Sequence, residues 1–206
     1  MMTTAESAPV ANSSESATTR QRIRFWALLA LTAFLGSIIA FVGFVTAGGV
    51  WFTISDALGL IQAITIVPLI LGLDQLLNTE ETSLARVGKW LGMTGCSLVG
   101  VGSIVLLTSD VSHQFVPAGG GLGMQFVGFG LIGGWFVAQG VISRRTGLLG
   151  RRTTWSALAV GAGFVIGILG APFGPESIAT SLGGSIALIG FIVWTISIRS
   201  EMAATD

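Results

Sequence analysis

Residues 122–171 read LGMQFVGFGLIGGWFVAQGVISRRTGLLGRRTTWSALAVGAGFVIGILGA. Two apolar segments, 122–142 and 154–171, flank a short turn that holds Arg144, Arg145, Arg151 and Arg152. A helix of about 20 apolar residues crosses the roughly 30 Å hydrocarbon core of a bilayer. The stretch therefore predicts a hairpin of two transmembrane helices closed by a basic loop.

The same pattern of apolar segments and basic turns extends over most of the chain. Four more apolar segments occupy about 23–47, 57–77, 87–107 and 178–198. The other basic residues fall before the first segment, in the second loop and after the last segment: Arg20, Arg22, Arg24, Arg86, Lys89 and Arg199. Since Lys and Arg near helix ends stay on the cytoplasmic side, we predict an all-α bundle of six transmembrane helices with both termini cytoplasmic.

Composition agrees with a membrane protein and excludes several other classes. The chain is 51% hydrophobic and 10% charged, whereas a soluble domain has roughly 25% charged residues. Its formal net charge is zero, so nucleic acid is not an expected partner, and the basic loops are explained by topology and by attraction to lipid headgroups. We expect neither a metal nor a cofactor.

The two ends of the chain differ from the apolar centre. Residues 1–19 are rich in Ser, Thr and Ala and lack apolar periodicity, which predicts a disordered cytoplasmic tail. Residues 200–206 are expected to form a second, short cytoplasmic tail, so the membrane domain covers 20–199. The first apolar segment is longer than the h-region of a secretory signal, and we interpret it as an uncleaved span.

Small residues recur at every fourth position within three of the spans. These sets are Gly92, Cys96 and Gly100, then Gly130 and Gly134, and then Gly163, Gly167 and Ala171. Such faces allow helix backbones to approach closely in lipid. They predict either a tightly packed bundle or a face for a second copy or a membrane protein partner. Cys96, the single cysteine, excludes an internal disulfide and is expected to pack as a small apolar residue.

Tryptophans mark the expected membrane interfaces. Five of them fall near predicted span ends, where amphipathic rings anchor at the headgroup level: Trp26, Trp51, Trp90, Trp155 and Trp194. Trp135 lies deeper in the fourth span, where it is expected to pack against another helix or lipid.

The centres of the predicted spans carry no ionisable residues, which disfavours ion-coupled transport because such residues mark ion pathways. Asp74, close to the basic end of the second span, is expected to pair with Arg86 or Lys89.

Pro68 in the second span predicts a kink, because it removes a backbone donor. Gln62, Thr65 and Gln125 are candidate binding residues around Pro68, where the break either lines a small polar cavity or is satisfied by a neighbouring helix.

Four ionisable residues are predicted at the outer face: Asp56, Asp110, His113 and Glu176. One interpretation is that they are solvated residues that keep helix ends in water. The alternative is that Asp110 and His113, with Asp56 or Glu176, hold a cation or shuttle a proton. If these residues shuttle a proton, His113 and Asp110 are the candidate catalytic residues.

Three segments resemble a known family: PLILGLDQLL at 68–77, VISRRTGLLGRRTTWSALAVGAG at 141–163, and WTISIRS at 194–200. Together with the basic first span, they resemble the family called domain of unknown function 4386. The resemblance implies a small multi-span protein of a prokaryotic cytoplasmic membrane, and it lends no functional residues.

Three functions from different classes are compatible with these observations. The leading hypothesis is a non-catalytic accessory or structural membrane subunit. The second is a facilitator for a small neutral or apolar solute. The third is an enzyme that modifies a lipid or quinone at the outer face, with His113 as acid or base and Asp110 orienting it.

Overall fold

The computed structural model describes residues 13–47, 50–77, 83–108, 120–173 and 177–204. Within these ranges the chain forms helices and no strand. The α helices are α1 (Ser13–Ala47), α2 (Val50–Leu77), α3 (Ser83–Thr108), α4 (Gly120–Thr146), α5 (Arg151–Gly170) and α6 (Ile178–Ala204), with a 3-10 turn at Ala171–Phe173. All six α helices are long and apolar enough to cross a membrane. The prediction of an all-helical, multi-pass membrane protein is confirmed.

The helices extend further than the apolar segments that predicted them. α1 begins at Ser13, so it includes residues 13–19 of the expected tail, and α6 continues to Ala204. α2 begins at Val50 rather than near position 57, which places Asp56 in its second turn. The reason is that helical hydrogen bonding continues through polar residues, whereas hydropathy marks only the part that matches the bilayer.

Consecutive helices pack against each other, and α1 also contacts α6, so the bundle forms a closed ring. We call "basic end" the end at which α1, α3 and α5 begin and α2, α4 and α6 end, and "far end" the opposite one. All ten Lys and Arg residues lie near the basic end. This one-sided charge is the basis for predicting that the basic end faces the cytoplasm.

An aromatic cluster fills the centre of the ring. Trp135 and Phe136 of α4 meet Phe191 and Trp194 of α6, with ring centroids 5.0 Å apart for Phe136 and Trp194 and 6.3 Å apart for Trp135 and Trp194. Phe34 of α1 extends the cluster, 4.7 Å from Phe191. Each such pair contributes about 0.5–1.5 kcal/mol beyond its area burial. The four α4 and α6 rings are almost completely buried.

The interfacial placement predicted for Trp194 is wrong. The ring is 1% exposed, because α6 runs on from Trp194 to Ala204 and carries this side chain into the bundle. Trp90 and Trp155 are on the surface. Trp135 packs against another helix, as expected.

Glycines let α3 and α4 touch along their length. A Cβ at Gly95 would lie 2.6 Å from the carbonyl oxygen of Gly128, and one at Gly102 would lie 2.5 Å from that of Gly121. Gly88, Gly95 and Gly102 are seven residues apart, the spacing at which antiparallel helices at a shallow angle meet again. Gly100, which belongs to the predicted set of small residues at every fourth position of this span, faces only Leu60 of α2.

The glycine faces predicted in the fourth and fifth spans also pack inside the chain. Gly163 and Gly167 of α5 meet Gly183 of α6, and Gly163 also meets Ala187. Gly130 and Gly134 of α4 face Ile168 and Leu91. Cys96 lies in the apolar core as a buried free thiol, as expected. These faces are therefore occupied within one protomer.

Candidate functional site

A polar cluster of two buried residues and one half-buried residue lies toward the far end, where α2, α3 and α4 meet. The Nε2 amide of Gln125 donates to Oγ of Ser103 at 3.0 Å and to Oδ1 of Asp56 at 3.4 Å. Ser103 is completely buried and Asp56 is 6% exposed. Gly59 follows Asp56 by one turn, and a Cβ there would lie 3.3 Å from Oγ of Ser103. The absent side chain leaves room for this far-end polar cluster of Asp56, Ser103 and Gln125.

The interpretation of Asp56 as a solvated residue at a helix end is wrong. Because α2 begins at Val50, the carboxyl group is carried into the bundle and faces α4. Burying a carboxylate is expensive unless donors replace its water, and Gln125 supplies one. Sequence reasoning assigned Asp56 and Gln125 to separate groups, since nothing in the chain order indicates that α2 and α4 bring them together.

The candidate binding residues around Pro68 lie in two places, Gln62 and Thr65 on α2 near Pro68 and Gln125 in the far-end polar cluster. α2 is continuous through Pro68, and Oγ1 of Thr65 donates to the backbone carbonyl of Gln62 at 2.9 Å. Gln62 and Thr65 are both buried. Two cavities lined by described residues, of about 570 and 330 Å³, lie at the basic end. Neither is lined by Gln62, Thr65, Pro68 or Gln125.

Two further polar groups lie on the inner face of α4. Nε1 of Trp135 and Oε1 of Gln139 are buried and form no hydrogen bond within the part of the chain that the structure describes. Each such group costs about 1–3 kcal/mol unless water reaches it. Gln139 was not a predicted site residue, although a glutamine inside an apolar span is the signal that identifies it.

The polar groups of α4 do not form a continuous path. Gln125 and Trp135 are separated by about 15 Å along the helix at 1.5 Å per residue. Phe129 and the buried Ile132 occupy the core side of α4 between them. The far-end polar cluster is therefore separated from the polar groups nearer the basic end by apolar packing.

At the basic end, Asp74 forms an ion pair. Nζ of Lys89 donates to Oδ2 of Asp74 at 2.7 Å, which joins α2 to α3. Lys89 was one of the two partners expected. Its side chain is 39% exposed, so the pair contributes roughly 0.2–1 kcal/mol.

Glu201 is a second acidic residue at the basic end, and sequence reasoning did not single it out. Its carboxylate accepts hydrogen bonds from the backbone N–H of Gly150 at 2.9 Å and from Oγ1 of Thr153 at 2.5 Å. Gly150 immediately precedes α5, and Thr153 lies in its first turn. These donors are 51 and 48 residues away from Glu201 in the chain, so no local sequence pattern reveals the contact.

The remaining predicted site residues, Asp110, His113 and Glu176, lie outside the described residues. Within the described ranges, no three His, Cys, Asp or Glu side chains come together in a group that could hold a metal ion.

Comparison of the chain with protein-family models, with curated proteins and with solved structures gave no match. The resemblance to the family called domain of unknown function 4386 therefore stays a prediction.

Proposed function

We propose that the protein is a non-catalytic accessory or structural subunit of a prokaryotic cytoplasmic membrane, with its basic end in the cytoplasm. The observation that carries this proposal is the filled centre of the bundle. Trp135, Phe136, Phe191 and Trp194 occupy the position at which a channel or transporter would need a solute path.

The distribution of polar groups supports the same function. Inside the described helices, the far-end polar cluster and Gln139 are separated by apolar side chains. Selective pores require polar groups or a constriction along a lined path. A bundle with a packed centre instead presents its outer surface to other proteins and to lipid.

A partner helix would fit the outward face of α6. Gly184 is exposed, and a Cβ at that position would meet nothing within 4 Å. Ser181 and Ser185, on the same side of α6, are exposed too, and the hydroxyl of Ser185 bonds to the carbonyl of Ser181. Small residues let a second transmembrane helix approach closely. We propose that this helix belongs to a different membrane protein.

The proposal is tested by purifying the tagged full-length protein from its native membrane in mild detergent and identifying co-purifying proteins by quantitative mass spectrometry. We expect one membrane protein in constant ratio, retained by the Gly184→Ala variant and lost from Gly184→Leu. A second copy of this chain as the sole associated protein would replace the partner with a homodimer. Purification of a monomer without any associated protein would overturn the proposal.

The far-end polar cluster favours a second candidate, a facilitator for a small neutral solute. Asp56, Ser103 and Gln125 offer both donors and acceptors in an otherwise apolar region. Stopped-flow light scattering on liposomes containing the protein would detect faster entry of urea or glycerol, slowed by Ser103→Ala and Gln125→Leu. Permeability equal to that of empty liposomes would contradict the facilitator and agree with the subunit.

A further inference from the structure

The outer surface of the bundle has a groove between α5 and α6 at the basic end. Its volume is about 570 Å³. The groove runs past Trp155 and Ala159 of α5 and past Ile186, Ile189 and Val193 of α6. Trp155, Ile189 and Val193 are exposed, so in a membrane this surface faces lipid rather than another helix of the chain.

Beyond the arginines, the side chains that line the groove are apolar except for Ser156. Its hydroxyl is already hydrogen-bonded within α5. Oγ of Ser156 donates to the carbonyl of Arg152 at 2.7 Å and also lies 3.1 Å from that of Thr153. On α6, Gly190 allows that helix to approach α5 closely, since a Cβ there would lie 3.0 Å from the backbone nitrogen of Val160. Such a surface matches a hydrocarbon chain and offers nothing to a polar solute.

The mouth of the groove is cationic. Arg151 and Arg152 line it and are exposed, and within the described helices neither forms a salt bridge. The guanidinium of Arg144 lies 5.5 Å from the ring centre of Trp155, which adds a third cation beside the mouth. Guanidinium groups are well suited to bidentate recognition of phosphate.

The dimensions of the groove agree with those of a lipid. Seven residues of α5 separate Arg152 from Ala159, or about 10 Å at 1.5 Å per residue. One leaflet contributes about half of the roughly 30 Å hydrocarbon core. With the arginines at the headgroup level, the apolar part of the groove would therefore extend along most of one leaflet.

We propose that this groove binds an anionic glycerophospholipid. The phosphate is held by Arg151 and Arg152, and one acyl chain lies along Trp155, Ala159 and Ile189. Charge complementarity selects an anionic headgroup over a zwitterionic one, and the apolar walls select an acyl chain. This inference does not depend on the proposed role as an accessory subunit.

Native mass spectrometry of the full-length protein in mild detergent tests the site. The protein is titrated with phosphatidylglycerol or with phosphatidylcholine of the same acyl chains. We expect tighter binding of phosphatidylglycerol, and about thirtyfold weaker binding by the double variant Arg151→Gln, Arg152→Gln, because each of the two basic residues near the headgroups adds about 1 kcal/mol of attraction and every 1.4 kcal/mol is a factor of about ten in affinity. The matched control is Arg22→Gln, Arg145→Gln, which removes the same charge at the same end and should bind as the wild type does.

A second variant tests the acyl-chain part of the site. Ala159→Phe fills the groove and should weaken phosphatidylglycerol binding with both arginines in place. Circular dichroism and thermal unfolding establish that each variant is folded. Equal affinity for the two lipids, equal losses in both arginine double variants, or unchanged binding by Ala159→Phe would overturn the proposal.

Discussion

The carboxylate of Glu201, near the end of α6, accepts a 2.9 Å hydrogen bond from the backbone N–H of Gly150, the residue before α5 begins. It accepts a second one from Oγ1 of Thr153. The first N–H groups of a helix have no partner within it and carry partial positive charge, so a carboxylate there is stabilising. The contact fixes the end of α6 to the start of α5.

Replacing Glu201 should therefore destabilise the bundle from its basic end. Glu201→Ala removes the acceptor and is expected to lower the free energy of unfolding by about 0.5–2 kcal/mol, the range of helix capping interactions. Glu201→Gln keeps an acceptor but loses the charge, so its effect should be smaller. Thermal unfolding in detergent measures both, with the exposed neighbour variant Ser200→Ala as the control. Equal melting temperatures for all three variants would contradict the role of the carboxylate.

The contact between α3 and α4 depends on the absence of a side chain at Gly95. A Cβ there would lie 2.6 Å from the carbonyl oxygen of Gly128, so Gly95→Ala must push the helices apart, at a cost of about 1–3 kcal/mol. Gly184→Ala is the matched control because its Cβ meets nothing within 4 Å. Denaturant or thermal unfolding should show a loss for Gly95→Ala and none for Gly184→Ala. If the two variants were equally stable, the α3 and α4 backbones would not be in contact.

The central aromatic cluster should carry much of the stability of the bundle. Trp194→Ala removes a ring that is 1% exposed and is expected to cost about 3–5 kcal/mol, as for other buried aromatic truncations. Trp90→Ala removes a ring that is 68% exposed and should have little effect on the purified protein. Size-exclusion chromatography after heating measures the fraction of each variant that stays monodisperse, and so compares the two. A larger loss from Trp90→Ala would reverse the assignment of core and surface.

The orientation of the bundle can be measured with cysteine labelling. In a Cys96→Ala background, Leu148→Cys places a thiol at the basic end and Phe173→Cys places one at the far end, at positions 51% and 80% exposed. We expect a membrane-impermeant maleimide to label Phe173→Cys in intact cells and Leu148→Cys only after lysis, since basic ends stay in the cytoplasm. The opposite labelling pattern would invert the topology.

The fold could be predicted from the sequence because a bilayer imposes a length and a polarity on every span. Apolar segments such as 87–107 and 178–198 identify helices α3 and α6, although both helices extend beyond these segments. The ion pair of Asp74 with Lys89 was also predictable. It joins two helices that are consecutive in the chain, and their connecting loop is short.

The candidate site could be predicted only in part. Gln125 was recognised as a polar residue within a span, but its partners on α2 and α3 were not. Trp194 was assigned to the membrane interface because the last apolar segment ends near it, whereas α6 continues and buries the ring. Both cases depend on how far a helix extends and which way it is turned, which local hydropathy does not record.

By itself the sequence determined the number of spans, their chain order and the placement of all basic residues at one end, because these properties follow from local hydropathy and charge. Only the tertiary structure decided that Asp56 is buried beside Gln125, that Glu201 caps α5, and that the glycine faces are occupied within one protomer. The physical reason is that each of these contacts depends on the rotation of one helix about its axis relative to another. That rotation is set by the packing of all the helices together.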